Sequence, residues 1–244
     1  MKFLIANKWQ LDVQDDMLIE SHASEMARPY THYLVAKQRD VAHEIWCIER
    51  LCDLCGYEVD SIVEYMAGVG CSSTIFIHKF TELLNHYMFD LDENCVEHLS
   101  RTFPDATVRR RDFFKVAGKV QADMSIIDFN QFTMQKLYKD SRLSLALEHV
   151  FQSSSVTMIT DSAVGYLHIN KGIYADICGY DINNFEDYVY GMSTQFYAHG
   201  GHHITHATYF SKAAYFLTVN GDWNDDIVIE RSPQNASGYF RRIL

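Results

Sequence analysis

No stretch of the 244 residues is long and apolar enough to span a bilayer. Near the N-terminus only Phe3-Leu4-Ile5-Ala6 is apolar, and no small-residue cleavage site follows a long hydrophobic run, so no signal peptide is expected. The six cysteines (Cys47, Cys52, Cys55, Cys71, Cys95 and Cys178) are scattered and lack the density of a disulfide scaffold. A reducing, cytoplasmic setting is the expectation. No Gly/Ser-rich linker and no internal repeat divides the chain, which predicts one structural domain. Positive charge is also short: 21 Lys and Arg against 32 Asp and Glu leave a formal net charge of −11. That balance argues against holding nucleic acid by global attraction, because phosphate binding needs a basic surface. It leaves room for a local basic mouth, for which Arg109-Arg110-Arg111 is a candidate.

What is present suits an ordinary α/β core. Apolar residues make up 48% of the chain and charged residues 22%, and 15 Tyr with 15 Phe suit a dense core or stacking surfaces. From about Thr31 to Cys55 apolar residues recur at helical spacing, with Gly56 as the stop. Residues 1–56 are therefore expected to form an N-terminal helical extension packed on a core domain of residues 57–244. Strand patterns fall at 61–66, 86–91, 107–111, 123–128 and 155–160. Helical patterns follow the first at 72–84, the second at 93–103 and the fourth at 134–150. Strands alternating with helices predict a mostly parallel sheet covered on both faces. Residues 204–210 and 213–219 read as a closing hairpin, Ile227-Val228-Ile229 as a further strand, and 165–203 as a lid or substrate-side insertion.

A strand, a Gly-x-Gly turn and a helix form a general device for a nucleotide-like ligand. Here the turn is Glu64-Tyr65-Met66-Ala67-Gly68-Val69-Gly70. By itself such a triplet is weak. Asp90 closes the next strand about twenty residues later, where a carboxylate can accept both hydroxyls of a ribose. Its other reading is a helix N-cap, a place Asp92 fills as well. Asp112 follows the third strand, where it could accept from an adenine amino group with Phe113 beside the ring. Three such groups at successive strand ends converge on one crevice.

With these residues in place, the segment from Val59 to Thr160 resembles the class I S-adenosylmethionine (SAM)-dependent methyltransferase family. Glu64 to Gly70 looks like the family's acidic-x-x-x-Gly-x-Gly motif, Phe89-Asp90-Leu91-Asp92 like its ribose-binding loop, and Arg111-Asp112-Phe113 like its adenine-side motif. Ala122 to Asp128 looks like the strand that ends at the transfer site. The resemblance implies a Rossmann-like three-layer sandwich, with a mostly parallel seven-stranded sheet and a C-terminal antiparallel hairpin. It implies SAM held by Glu64, Ala67, Gly68, Gly70, Asp90, Leu91, Asp112, Phe113 and Asp128, with the N-terminal helix packed over the cofactor. A dinucleotide dehydrogenase is disfavoured, because its third glycine would fall at Ser73.

Methyl transfer works mainly by aligning the acceptor with the methyl carbon and excluding water. Asp128, Asn130 and Phe132, after the fourth strand, are the expected acceptor-side residues. Amino-group methyltransferases of nucleic acids carry an Asp/Asn-Pro-Pro-aromatic loop there; this chain has Asp128 and an aromatic but neither proline. A Pro-Cys pair, as in cytosine-C5 enzymes, is also missing. A nucleic-acid base is slightly favoured as acceptor. The alternatives are a small molecule methylated on N or O, and a non-catalytic binding or assembly subunit.

Other features have plainer readings. His199, His202, His203 and His206 offer at most two ligands on one strand face, so a polar loop is preferred to a metal site. A histidine there, or His168, could still serve as a base. Cys52-Asp53-Leu54-Cys55 sits at a helix C-terminus, where the dipole disfavours a thiolate, so packing with Trp46 is expected. The arginines at 109–111 read first as a solvated edge strand.

Overall fold

The computed structural model describes residues 2–5, 9–14, 17–20, 36–56, 58–68, 70, 83–129, 137, 139–161, 167–200, 204–210, 214–219 and 227–234. Four short strands come first: β1 (Lys2–Ile5), β2 (Trp9–Gln14), β3 (Met17–Glu20) and β4 (Ala36–Lys37). They pair antiparallel in chain order. Helix α1 (Gln38–Cys55) follows directly. The helix expected from Thr31 thus begins at Gln38, because Ala36 and Lys37 pair with Leu18 and Met17. The extension expected as helical contains strands as well.

The main sheet is built from β5 (Ser61–Tyr65), β6 (Asn85–Asp90), β7 (Thr107–Arg110), β8 (Ala122–Phe129), β9 (Ser154–Asp161), β10 (His206–Tyr209), β11 (Ala214–Val219) and β12 (Val228–Arg231). Their order is β12-β10-β11-β9-β8-β5-β6-β7. The strands from β9 to β7 run parallel, and β11 is antiparallel to both β9 and β10. Eight strands rather than seven form the sheet, because Val228–Arg231 adds to β10 in parallel register. The helices are α2 (Glu93–Thr102), α3 (Phe113–Val116), α4 (Leu143–Gln152), α5 (Leu167–Cys178) and α6 (Phe185–Gly200). The helix expected at 72–84 lies mostly outside the described residues.

Alternation along the strands sends successive side chains to opposite faces, and each face has its own core. On one, Val63, Tyr65, Ile127, Phe129, Ile159 and Phe216 meet α4 and α6. On the other, Ile62, Met124, Ile126, Val156, Met158 and Leu217 meet Cys47, Ile48, Leu51 and Cys52 of α1. Central strands are buried on both sides, as Ser61–Tyr65 and Ser154–Asp161 are along most of their length. Helix α1 packs on β10 and β11, and Arg50 locks it there with a forked pair of bonds to Glu230 (2.7 and 3.1 Å). It covers a sheet face instead of the crevice over which it was expected. Cys52 is buried in that contact, as the packing reading requires.

The segment read as a lid is a layer of the sandwich. Helix α6 buries Tyr188, Val189, Met192 and Phe196, and the Phe196 ring stacks on Phe129. Those apolar positions recur every three or four residues, so the helix must face the sheet. Among the described residues no helix is long and apolar enough to cross a membrane.

One carboxylate fixes the register at the amino ends of the central strands. Asp123 Oδ2 accepts from the amides of Asp60 (3.1 Å) and Ser61 (2.9 Å) and from the Ser61 hydroxyl (2.7 Å). The Asp123 amide donates back to Ser61 Oγ (2.9 Å). Removing the carboxylate strands two amides and a hydroxyl. Asp123→Ala is expected to cost about 2 kcal/mol, and Asp123→Asn, which keeps one oxygen, roughly half of that. Urea unfolding of the three proteins tests this, and equal midpoints would show that water replaces the clasp at no cost.

Candidate active site

The carboxyl ends of β5, β6 and β8 come together where the chain turns out of β5. Met66 and Gly68 both have φ 57° and Gly70 has φ 83°, so the turn is left-handed at three positions. For Met66 this conformation costs about 1–2 kcal/mol, which the surrounding structure must offset. Backbone bonds hold the turn: the Ala67 amide donates to the Phe89 carbonyl (3.1 Å), and the Gly70 amide to the Ala67 carbonyl (2.9 Å). At Gly70 a Cβ would lie 2.5 Å from the Phe103 ring and 2.9 Å from Leu99. Gly70 is therefore needed for the turn to lie against α2, as well as for its dihedral angle.

Asp90 latches this turn. Its Oδ2 accepts from the Gly68 amide and its Oδ1 from the Asp92 amide, each at 2.8 Å. Asp92 is the N-cap of α2, accepting from Asn94 (2.8 Å) and Cys95 (3.4 Å). The competing reading of Asp90 as the cap is thus set aside. The Leu91 amide is a third backbone donor to the Asp90 carboxylate. Burial raises the Asp90 pKa against the lowering effect of its amide donors. Next to it Leu91 is 63% exposed, an apolar side chain at the rim of the crevice.

Asp128 lies across β5 from Asp90, and its Oδ1 accepts the Thr160 hydroxyl at 2.6 Å. Burial pushes its pKa up to about 6; Thr160 opposes the shift, and the charges of Asp90 and Asp161 add to it. Glu64, between the two, is fully buried with His86 Nε2 at 4.0 Å. Burial first, then the charges of Asp128 and Asp90, raise the Glu64 pKa well above its ordinary value. Strand register puts Glu64, Asp90, Asp128 and Thr160 on one sheet face.

The adenine-side residues divide. Asp112 caps α3 through the Phe114 amide (3.1 Å) and stays partly exposed. Phe113, expected beside an adenine ring, is buried in the core, edge-on to Tyr65 at 5.7 Å. The outer aromatic is Phe114, with the Arg142 guanidinium 4.1 Å from its ring centre. A Phe-Phe pair after a cap must send one ring inward and one outward, and the sequence did not say which. Asn130 and Phe132 lie outside the described residues, as do His202 and His203. Among the described residues no group of three or more His, Cys, Asp or Glu side chains is arranged for a metal ion.

Sequence reasoning missed Asp161, the last residue of β9. It is fully buried and accepts from Tyr174 (3.2 Å) and, through a short bond, from Tyr188. Burial and the Asp161 charge push the Tyr174 phenol up, so both rings act as donors. The available signal was an acidic residue ending a strand, but its partners sit in the segment that read as irregular.

A carboxyl whose pKa is raised on folding makes the folded state bind protons more tightly. Its stabilising effect is full below the unfolded pKa near 4 and fades as pH rises through about 6. Asp128→Asn keeps an oxygen for Thr160 and removes the titration. The variant is expected to gain about 1–2 kcal/mol over the parent at pH 7, allowing for partial solvent screening, and nothing at pH 4. Thermal melts at both pH values measure this, and an equal difference at the two would refute the shift.

No protein-family model matches the chain, and no curated protein matches it in sequence. Solved structures do. A SAM-dependent methyltransferase of Clostridium acetobutylicum ATCC 824 is 11% identical, over 81% of this chain and 98% of that one, with a TM-score of 0.55. The methyltransferase domain of bacterial CtHen1-CN is 9% identical over 75% and 98%, with a TM-score of 0.50. DesVI of Streptomyces venezuelae is 18% identical at a TM-score of 0.45, over 56% of this chain and 57% of DesVI. Sheet order, the reversed β11 and the likeness to the first two structures agree: this chain has the class I SAM-dependent methyltransferase fold.

Proposed function

We propose that this protein binds SAM in the crevice at the ends of β5, β6 and β8 and transfers its methyl group to an acceptor held beside Asp128. The observation that carries the reading is the convergence of Glu64, Asp90 and Asp128 beneath a strained turn in this fold, where burial above all, and neighbouring carboxylate charge, hold their pKa values up. A buried carboxylate group of this kind is incomplete without a cation. The sulfonium and ammonium of SAM supply positive charge, and the sulfonium presents an electrophilic methyl carbon.

The chain's own residues have distinct tasks. Asp90 accepts the ribose hydroxyls while it holds the turn. Ala67, Gly68 and Gly70 allow close backbone approach, and Leu91 covers the adenine, whose amino group reaches Asp112. Phe113 supports that end from the core. Glu64 lies beneath the turn, where a bound cation would draw its raised pKa back down. Asp128, with Asn130 and Phe132, orients the acceptor, and a carboxylate with a pKa of about 6 is suited to take the proton an N–H or O–H acceptor loses.

Calorimetry with SAM and S-adenosylhomocysteine tests the reading. Both are expected to bind, and Asp90→Ala to weaken both at least tenfold. No binding of either ligand would sink it, whereas binding without transfer of labelled methyl to RNA or metabolite extracts would assign a binding subunit.

Charge gives a sharper test, because S-adenosylhomocysteine lacks the sulfonium. As Asp128 ionises between pH 5 and pH 7, SAM affinity is expected to rise severalfold while that of S-adenosylhomocysteine stays flat. In Asp128→Asn the ratio of the two affinities should not vary with pH; the same slope in parent and variant would remove Asp128 from the sulfonium's side.

A further inference from the structure

Residues 101–119 hold six of the chain's 21 Lys and Arg but only two of its 32 Asp and Glu. In a molecule of net charge −11 this is a local reversal of sign. The segment runs from the end of α2 through β7 and α3, and all six cations are exposed; Arg101, Arg109, Arg110, Arg111 and Lys115 lie on or beside the border strand β7, whereas Lys119 sits at the amino end of β8, where its neighbour Gly118 meets His149. Two have partners: Arg110 pairs with Glu93 (3.0 Å) and Arg101 with Glu97 (3.4 Å). Arg109, Lys115 and Lys119 make no ion pair with a described residue, and Arg111 donates to the carbonyl of Arg110 (2.9 Å). Unpaired like charges gathered on one edge repel one another, which costs stability unless a polyanion neutralises them.

We propose that this edge is a docking strip for the phosphate backbone of a single-stranded nucleic acid. Three steps in the strand order separate β7 from β8, about 14 Å at ordinary strand spacing. A strand seated on Arg109, Arg111 and Lys115 can thus extend a few nucleotides along the crevice and place a base beside Asp128, out of its stack as base chemistry requires. The strip sets position and the crevice selects the base. A lipid surface fits less well: of the exposed large apolar side chains, none lies between 101 and 119 to insert among headgroups. Naming the polymer as methyl acceptor rests on the proposed function; its binding to the strip does not.

The probe is a fluorescein-labelled single-stranded RNA of about 20 nucleotides, followed by anisotropy with the full chain and no cofactor. The parent is expected to bind at low salt, with the logarithm of affinity falling about two units per decade of salt, as three phosphate contacts on a single strand require. Charge reversal at all three positions (R109E, R111E, K115E) is expected to weaken binding at least tenfold and flatten the salt dependence. Its circular dichroism and S-adenosylhomocysteine affinity should stay unchanged. A parent that does not bind the RNA, or a reversed variant that binds it equally well, overturns the strip. So does a parent that binds phosphatidylserine vesicles but not RNA. If S-adenosylhomocysteine fails to bind while the RNA result holds, the cofactor reading falls and the strip stands.

Discussion

The Asp90 carboxylate receives the Gly68 amide on one oxygen and the Asp92 amide on the other. Through these two bonds the turn after β5 and the entry to α2 become one rigid unit, although 22 residues separate Gly68 from Asp90. A left-handed methionine at position 66 is tolerable only inside such a unit. The same constraint brings Gly70 against Phe103, with no room for a side chain. Preorganisation of this kind lets backbone groups meet a ligand without first being ordered, so affinity is not spent on folding a loop.

The two faces of the sheet treat acidic residues differently at the same level. Asp128 and Asp161 are one strand apart, with Asp161 opposite Phe129 in the register. Asp161 lies in the core of α5 and α6 with two phenols donating to it, a satisfied buried charge. Asp128 has one hydroxyl donor, and its pKa remains high. One strand end thus joins a sealed acidic group to a responsive one, and the first supplies part of the field felt by the second.

Strand ends were the legible part of this molecule. Parallel strands buried on both faces announce themselves as short apolar runs, and a polar residue that closes such a run must lie at the crevice. Hence Asp90, Asp112 and Asp128 could be placed from spacing alone. Side-chain direction around a cap could not, and Phe113 turned inward where an outward ring was expected. Helix α6 was illegible for another reason: its buried face is aromatic and its outer face carries Tyr190 and Tyr197, so hydrophobic periodicity is blurred. Among the strands at 2–37, Trp9–Gln14 alternates apolar and polar residues strictly, a signal that went unread, whereas Lys2–Ile5 and Met17–Glu20 depend on pairing with it, information that no local pattern holds.

Both borders of the main sheet are strands of four residues, Thr107–Arg110 on one side and Val228–Arg231 on the other. Each ends in charge: Arg109 and Arg110 are exposed on the first, and Glu230 and Arg231 close the second. A longer apolar border would offer a row of free amides and carbonyls to any passing strand. Short, charged borders deny that template, so a protein so rich in buried β structure and aromatic side chains is guarded against stacking into aggregates with its own copies.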